Sequence, residues 1–235
     1  MDAHAERLAA VVLEPLVQGA AGMQVTTPEA VRRVVEAAQA AGVLVIADEV
    51  ATGFGRTGTL FASEQCGIRP DLMVIGKGIT GGYLPLSATV AAGPVHRSFL
   101  GPDLSERTFY HGHSYSGNAL ACAVALRHLA LVDEWDVLTN VRARRAAGRA
   151  AGGGHRPAHR RGRRAPPRVD DRRGAGAAHR RAPLGSSRLR RHRRCGVLLR
   201  PLGDVVVLMP PLTTTADEID RIVDTLAAAL DEVSS

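Results

Sequence analysis

The sequence predicts an α/β fold on a mainly parallel sheet, and two observations carry that prediction. Strand-like apolar runs alternate with helical periods from Met1 to about Asn140, the pattern of strands joined by crossover helices. Two of those runs also deliver chemically capable side chains at their carboxyl ends, where open α/β sheets bind ligands.

The elements follow in order. Val11-Val12-Leu13 reads as a buried strand ending at Glu14-Pro15. A helix comes next, with Thr27 as N-cap and Pro28 at its first position. Val31, Val34, Val35 and Ala38 recur at helical spacing, and Gly42 closes it. Val43 to Ala47 is a continuous apolar strand that delivers Asp48 and Glu49. Leu72 to Ile75 is a second, delivering Gly76-Lys77-Gly78, and Ser87 to Ala92 a third. The Ala/Leu-rich stretch from Asn118 to about Val132 reads as a long helix. Near the carboxyl end, Val197 to Leu199 and Val205 to Leu208 read as strands. A last helix begins at a Thr215/Glu218 capping box and presents Ile219, Ile222, Val223, Leu226 and Leu230 on one face.

Charge divides the chain further. Of 30 basic residues, 19 are arginines between Val141 and Cys195, against two acids, so the net charge of +7 belongs to one window and the remainder is acidic. That window has no aromatic residue and too few large aliphatics to offset its ordering entropy. The expected organisation is therefore a large domain over 1–140, an Arg-rich segment over 141–195 that is disordered or a frameshifted reading of GC-rich codons, and a small-domain remnant over 196–235. A basic arm of this kind could release counterions on nucleic acid, but the lack of interleaved aromatics argues against that partner. Met1-Asp2-Ala3-His4 does not begin like a signal peptide, and no apolar run reaches membrane-spanning length, so a cytoplasmic protein without a membrane partner is expected. Cys66, Cys122 and Cys195 share no ligand spacing, and His111-Gly112-His113 lacks a third ligand, so no metal is expected.

Lys77 is the only lysine in a chain with 29 arginines. A desolvated ε-amine can lose its proton and attack a carbonyl, which a guanidinium cannot do. Gly53-Phe54-Gly55-Arg56-Thr57-Gly58 fits a dinucleotide-loop pattern, but Asp48 and Glu49 precede it where a pyrophosphate would lie, and no clear helix opens at its last glycine. A P-loop is excluded because Gly78 follows Lys77 where Ser or Thr is required.

Four ordered segments carry a family resemblance: Glu14 to Met23, Ala47 to Gly58, Gly76 to Gly82 and His111 to Asn118. In that order they resemble class III aminotransferases, pyridoxal-phosphate enzymes of fold type I. The resemblance implies a partial large domain with a mainly parallel sheet, plus remnants of a small α+β domain. It implies pyridoxal 5'-phosphate as cofactor, Lys77 as the lysine that forms the Schiff base with it, and Asp48 as the partner of its pyridine nitrogen. It further implies Val50 against the ring, and His113 and Ser114 reaching the cofactor phosphate of a neighbouring subunit, hence a homodimer. Gly112 would border the substrate and Arg200 would grip its carboxylate, with an amino donor and a keto acceptor as partners. Ala51, where relatives acting on ornithine or 4-aminobutyrate usually have Gln, and the segments Leu199 to Gly203 and Leu208 to Pro211 resemble the branch that serves biotin synthesis. The alternatives are another ω-aminotransferase of the same class, or a non-catalytic fragment with a basic arm. The family's amino-terminal part, with its phosphate-binding turn and ring-stacking aromatic, has no counterpart in these residues.

Overall fold

The computed structural model describes residues 5–151, 196–198, 200–202 and 205–234. The chain divides into two compact units, Met1–Arg142 with Pro211–Thr213, and Ala143–Pro210 with Thr214–Ser235. Most of the Arg-rich window, from residue 152 to 195, lies outside the described residues.

The first unit is built on a four-stranded sheet of order β1-β4-β5-β6, comprising Ala10–Leu13, Leu44–Asp48, Leu72–Ile75 and Ala88–Ala91. β1 and β5 both pair with β4 in parallel, and β6 closes the order antiparallel to β5. Between β1 and β4 the chain forms a small antiparallel hairpin, β2 (Val17–Gln18) with β3 (Gln24–Val25), and then α1 (Pro28–Ala40). α2 (Ala62–Cys66) and α3 (Gly93–Arg97) are single short turns of helix, α4 (Ala119–Glu134) is long, and α5 (Val137–Ala151) crosses out of this unit.

α1 forms as its sequence dictates. The Thr27 hydroxyl accepts from the Ala30 N–H at 3.2 Å, and Pro28 fills a first-turn position whose missing N–H costs nothing. Its buried residues Val31, Val35 and Ala38 lie three and four apart, one helical face. After Ala41, Gly42 takes φ 72°, a left-handed conformation that reverses the chain into β4. That apolar face packs on the sheet: Val35, Ala38, Val43 and Val45 form a buried cluster with Val11, Leu13 and Ile68 against it. Because strand side chains alternate, Val11 and Val45, which pair in register, share this face, while Val12 points the other way and is exposed. A second cluster, Leu16, Val31, Ala62 and Cys66, seats α2 beside α1.

α5 reaches Ala151, eleven residues into the window whose composition reads as irregular. Alanine and arginine are strong helix formers, so a segment unable to make a core continues a helix that Val137 and Leu138 have already started. In the second unit, β7 (Arg200–Leu202) and β8 (Val205–Val207) pair antiparallel with Leu202 opposite Val205. β7 therefore begins at Arg200, immediately past the apolar Val197–Leu199 run expected to form the strand. α6 (Ala216–Ser234) opens with the expected capping box: Glu218 Oε2 accepts from the Thr215 N–H at 2.8 Å, and the Glu218 N–H donates to Thr215 Oγ1 at 3.3 Å. Among the described residues, no helix is long and apolar enough to cross a membrane.

Val35 is 1% exposed at the centre of the α1–sheet contact. Val35→Ala is expected to cost roughly 2 kcal/mol, two lost methyl groups plus a residual cavity, read as a lower urea midpoint at unchanged slope.

Candidate active site

The parallel pairing of β4 and β5 positions the site. Ile46, Ala47 and Asp48 lie opposite Leu72, Met73 and Val74, and the ladder continues one residue further as the Glu49 N–H donates to the Val74 carbonyl at 2.9 Å. The end of β4 thus lies about 4.8 Å from a strand whose next residues are Gly76 and Lys77. Asp48 Oδ1 accepts from the Val50 N–H at 3.0 Å, a local turn that orients the carboxylate. Val50 in turn packs on Gly76: a Cβ added there would stand 3.6 Å from both Val50 methyl groups. Asp48, Val50 and Lys77 are thereby gathered at one edge of the sheet.

Lys77 begins a 3₁₀ turn, Lys77–Thr80, with φ 43°. The left-handed region costs a side-chain-bearing residue on the order of 1–2 kcal/mol, and it persists only where the surroundings enforce it. The enforcing contacts lie just downstream. Ile79 and Thr80 are buried, and Thr80 Oγ1 donates to the Leu84 carbonyl at 2.5 Å, closing the loop behind the turn. Phe54, Ile79 and Ala125 form a buried cluster backed by Ile75, Leu86 and Leu129, which ties the turn to α4. Lys77 itself is exposed.

Glu49 is fully buried beside this edge. Its carboxylate accepts from the Ser63 N–H and Oγ, both at 2.7 Å, from the Ala62 N–H at 3.1 Å and from the Thr52 hydroxyl. A buried carboxylate is tolerated only with such a full set of donors. It joins the end of β4 to the start of α2. Gly53 completes the junction: its N–H donates to the Glu49 carbonyl at 2.9 Å, and a Cβ there would approach that oxygen to 2.8 Å, so no larger residue fits. The Gly53–Gly58 segment accordingly forms successive turns around Phe54 instead of a strand-to-helix phosphate loop. Cys66, buried at the end of α2, has its thiol pushed up, first by desolvation and then by the nearby Glu49 charge.

The other residues singled out from sequence belong to other elements. Gly112, His113 and Ser114 sit in an exposed loop, 111–117, where His113 Nδ1 accepts from the Tyr115 N–H at 3.1 Å and the His113 N–H donates to Ser116 Oγ at 3.1 Å. Arg200 belongs to the second unit, paired in register with Val207. Among the described residues, no three His, Cys, Asp or Glu side chains gather as a metal-binding group. Glu49 was visible at the strand end, but its partners Ala62 and Ser63 lie 13 and 14 residues on, a separation with no local signature.

A strand-end aspartate and the lone lysine of the chain thus stand at the neighbouring ends of two parallel strands. The class-III aminotransferase family model matches residues 1–230, and the chain belongs to that family. It is 44% identical to adenosylmethionine-8-amino-7-oxononanoate aminotransferase of Nitratidesulfovibrio vulgaris, over 98% of this chain and 44% of that protein. Its structure resembles that of the enzyme of the same name from Methanocaldococcus jannaschii, with a TM-score of 0.79, 31% identity, and coverage of 98% of this chain and 55% of that one. An amine transaminase from an uncultivated Pseudomonas species, solved in its PLP-bound form, matches at a TM-score of 0.79 and 34% identity, over 97% of this chain and 53% of that one. The chain spans about half the length of the relatives it matches.

Two outcomes test this geometry. Glu49→Gln places an amide where donors already point and is expected to destabilise the chain by roughly 1–3 kcal/mol, measured by thermal and urea melts. Thiol labelling at neutral pH, mapped by peptide mass spectrometry, is expected to modify exposed Cys122 and to spare Cys66 until the chain unfolds.

Proposed function

We propose that this chain carries the lysine and aspartate of a pyridoxal 5'-phosphate-dependent aminotransferase that transfers an amino group onto 8-amino-7-oxononanoate to give 7,8-diaminononanoate in biotin synthesis. The observation that supports it is the convergence of Asp48 and Lys77 on adjacent strand ends, in a chain whose named relatives perform that reaction.

The residues present fit the cofactor's needs. Lys77 offers the one ε-amine, and Asp48, oriented by the Val50 N–H, offers a carboxylate to a protonated ring nitrogen. Val50, packed on Gly76, supplies an apolar surface beside them for one ring face. When bound, the cofactor supplies an electron sink for the carbon that loses its proton. Lys77 Nζ takes up that proton and returns it, a general base and acid on a short tether. Asp48 would hold the ring nitrogen's proton by accepting its N–H on a carboxylate already oriented by the Val50 N–H. Arg200 is assigned to the substrate carboxylate, for which a planar bidentate donor is suited, and Gly112 to the substrate's flank. His113 and Ser114, on an exposed loop, are assigned to the cofactor phosphate of a partner subunit, which makes the working unit a homodimer in the cytoplasm.

A second reading is an ω-aminotransferase of the same class with another acceptor. It is favoured by the equal TM-score of the amine transaminase, and disfavoured by Ala51 and by the names of the sequence relatives.

Incubation with pyridoxal phosphate, borohydride reduction and peptide mapping is expected to place the adduct on Lys77, and Lys77→Arg to abolish it. Asp48→Ala is expected to retain an adduct but to lower amino transfer ~100-fold or more. Transfer to an unrelated keto acceptor in preference to 8-amino-7-oxononanoate would favour the second reading. No adduct on folded chain would remove the enzyme reading and leave a non-catalytic fragment.

A further inference from the structure

Lys77 stands in the connection between two antiparallel strands, β5 and β6, and that connection is pinched at two places. At its base Ile75 pairs in register with Ala88, and a Cβ added at Gly76 would stand 3.6 Å from Ser87 Cβ, so the two limbs of the loop start in contact. Further out they meet again. Thr80 Oγ1 donates to the Leu84 carbonyl at 2.5 Å and accepts from the Leu84 N–H at 3.3 Å, so one hydroxyl serves both backbone groups of one residue. Gly81 and Gly82, at φ 63° and 88°, make the reversal that brings Leu84 back to it.

Lys77, Gly78 and Ile79 occupy the limb between these two rungs. The Ile79 N–H donates to the Gly76 carbonyl at 3.1 Å and the Gly81 N–H to the Gly78 carbonyl at 2.9 Å. Bonds of that span wind the turn, but they join near neighbours and do not set where it lies across the loop. A third, from the Tyr83 N–H to the Thr80 carbonyl at 3.3 Å, belongs to the glycine reversal. Packing limits the turn on one side: a Cβ at Gly78 would come within 3.0 Å of Phe54 Cβ, and Ile79 is buried in the same cluster as Phe54. Thr80, fully buried, fixes the outer end. A residue with a side chain keeps a left-handed φ of 43° only under such constraint, and Lys77 lies between the two rungs that supply it.

We infer that Thr80 is the positioning residue for Lys77: its two hydrogen bonds to Leu84 hold the outer end of the turn, and so keep the amine at the strand edge it shares with Asp48 when it meets an aldehyde. The inference rests on the reading of Lys77 given above, and it adds a residue to which the family resemblance gives no part. A buried hydroxyl that only filled space could become a methyl group without effect on the chemistry of the lysine. One that sets the curvature of the turn cannot.

Because Lys77 is the only lysine, two amine chemistries read its state without interference from other side chains. Acylation by a small reagent needs only an exposed amine. Condensation with pyridoxal phosphate, in which the amine joins the aldehyde with loss of water and borohydride then reduces the carbon–nitrogen bond, also needs the amine correctly placed. Thr80→Val keeps the branched shape and removes the hydroxyl, and Thr80→Ser keeps the hydroxyl and gives up the methyl group.

The full chain and both variants are titrated with pyridoxal phosphate well below the lowest thermal midpoint of the three. The Lys77 adduct is fixed with borohydride and quantified by mass spectrometry, and Lys77 acylation is measured alongside. The expected result is at least a fivefold weaker half-saturation for Thr80→Val, recovery to within twofold for Thr80→Ser, and acylation rates within twofold throughout. Equal trapping by wild type and Thr80→Val overturns the inference alone. So does equal weakening in both variants, acylation that changes in step with trapping, or loss of trapping that only tracks a lowered midpoint. Wild-type trapping no better than that of the urea-unfolded chain overturns the reading of Lys77, and this inference with it.

Discussion

The register between β4 and β5 is the constraint on which the site depends. Three in-register pairs and the Glu49-to-Val74 hydrogen bond leave Asp48 on one strand and Lys77 just past the other. A slip of one residue would turn Asp48 to the opposite face of the sheet and bring Glu49 to the edge in its place. Glu49 opposes such a slip, because its carboxylate satisfies four donors only where it now sits, against the start of α2. The chain thus spends one buried charge on holding another, half-buried one in place.

Much of this was legible in the residues themselves. The Val43–Ala47 and Leu72–Ile75 runs locate the two strand ends, because a short continuous apolar run bounded by Gly and Asp leaves few other readings. α1 declares itself through Thr27, Pro28 and Gly42, and α6 through Thr215 and Glu218, since capping is a local bargain between neighbouring backbone and side chain. What stayed hidden is non-local. Ala62 and Ser63, which donate to Glu49, belong to another element, and the ring contact of Phe54 with His128 joins residues more than seventy positions apart. β7 escaped because it begins just past the apolar run that pointed to it, and the first part of the Arg-rich window escaped because helix propensity needs no core behind it.

The resemblance to class III aminotransferases and the geometry make different contributions. Family membership, matched over residues 1–230, accounts for the order of motifs and for the α/β layering of the described residues in the first unit. The role proposed for Lys77 would account for a lysine at position 77 in a chain whose other Lys/Arg positions are all arginine. A guanidinium has no accessible neutral form near neutral pH, so substitution there removes nucleophilicity while keeping the charge.

The last strand of the sheet bears on how the protein behaves in bulk. β6 is exposed at all four of its residues and ends the strand order, so one row of its backbone amides and carbonyls faces outward, with Val90 standing clear of the surface. Such a border is a template on which further polypeptide can crystallise, molecule upon molecule, without any gain or loss at the lysine. Among the described residues this rim is left to solvent, and a single proline or charged residue placed along it is the kind of change that closes such a border.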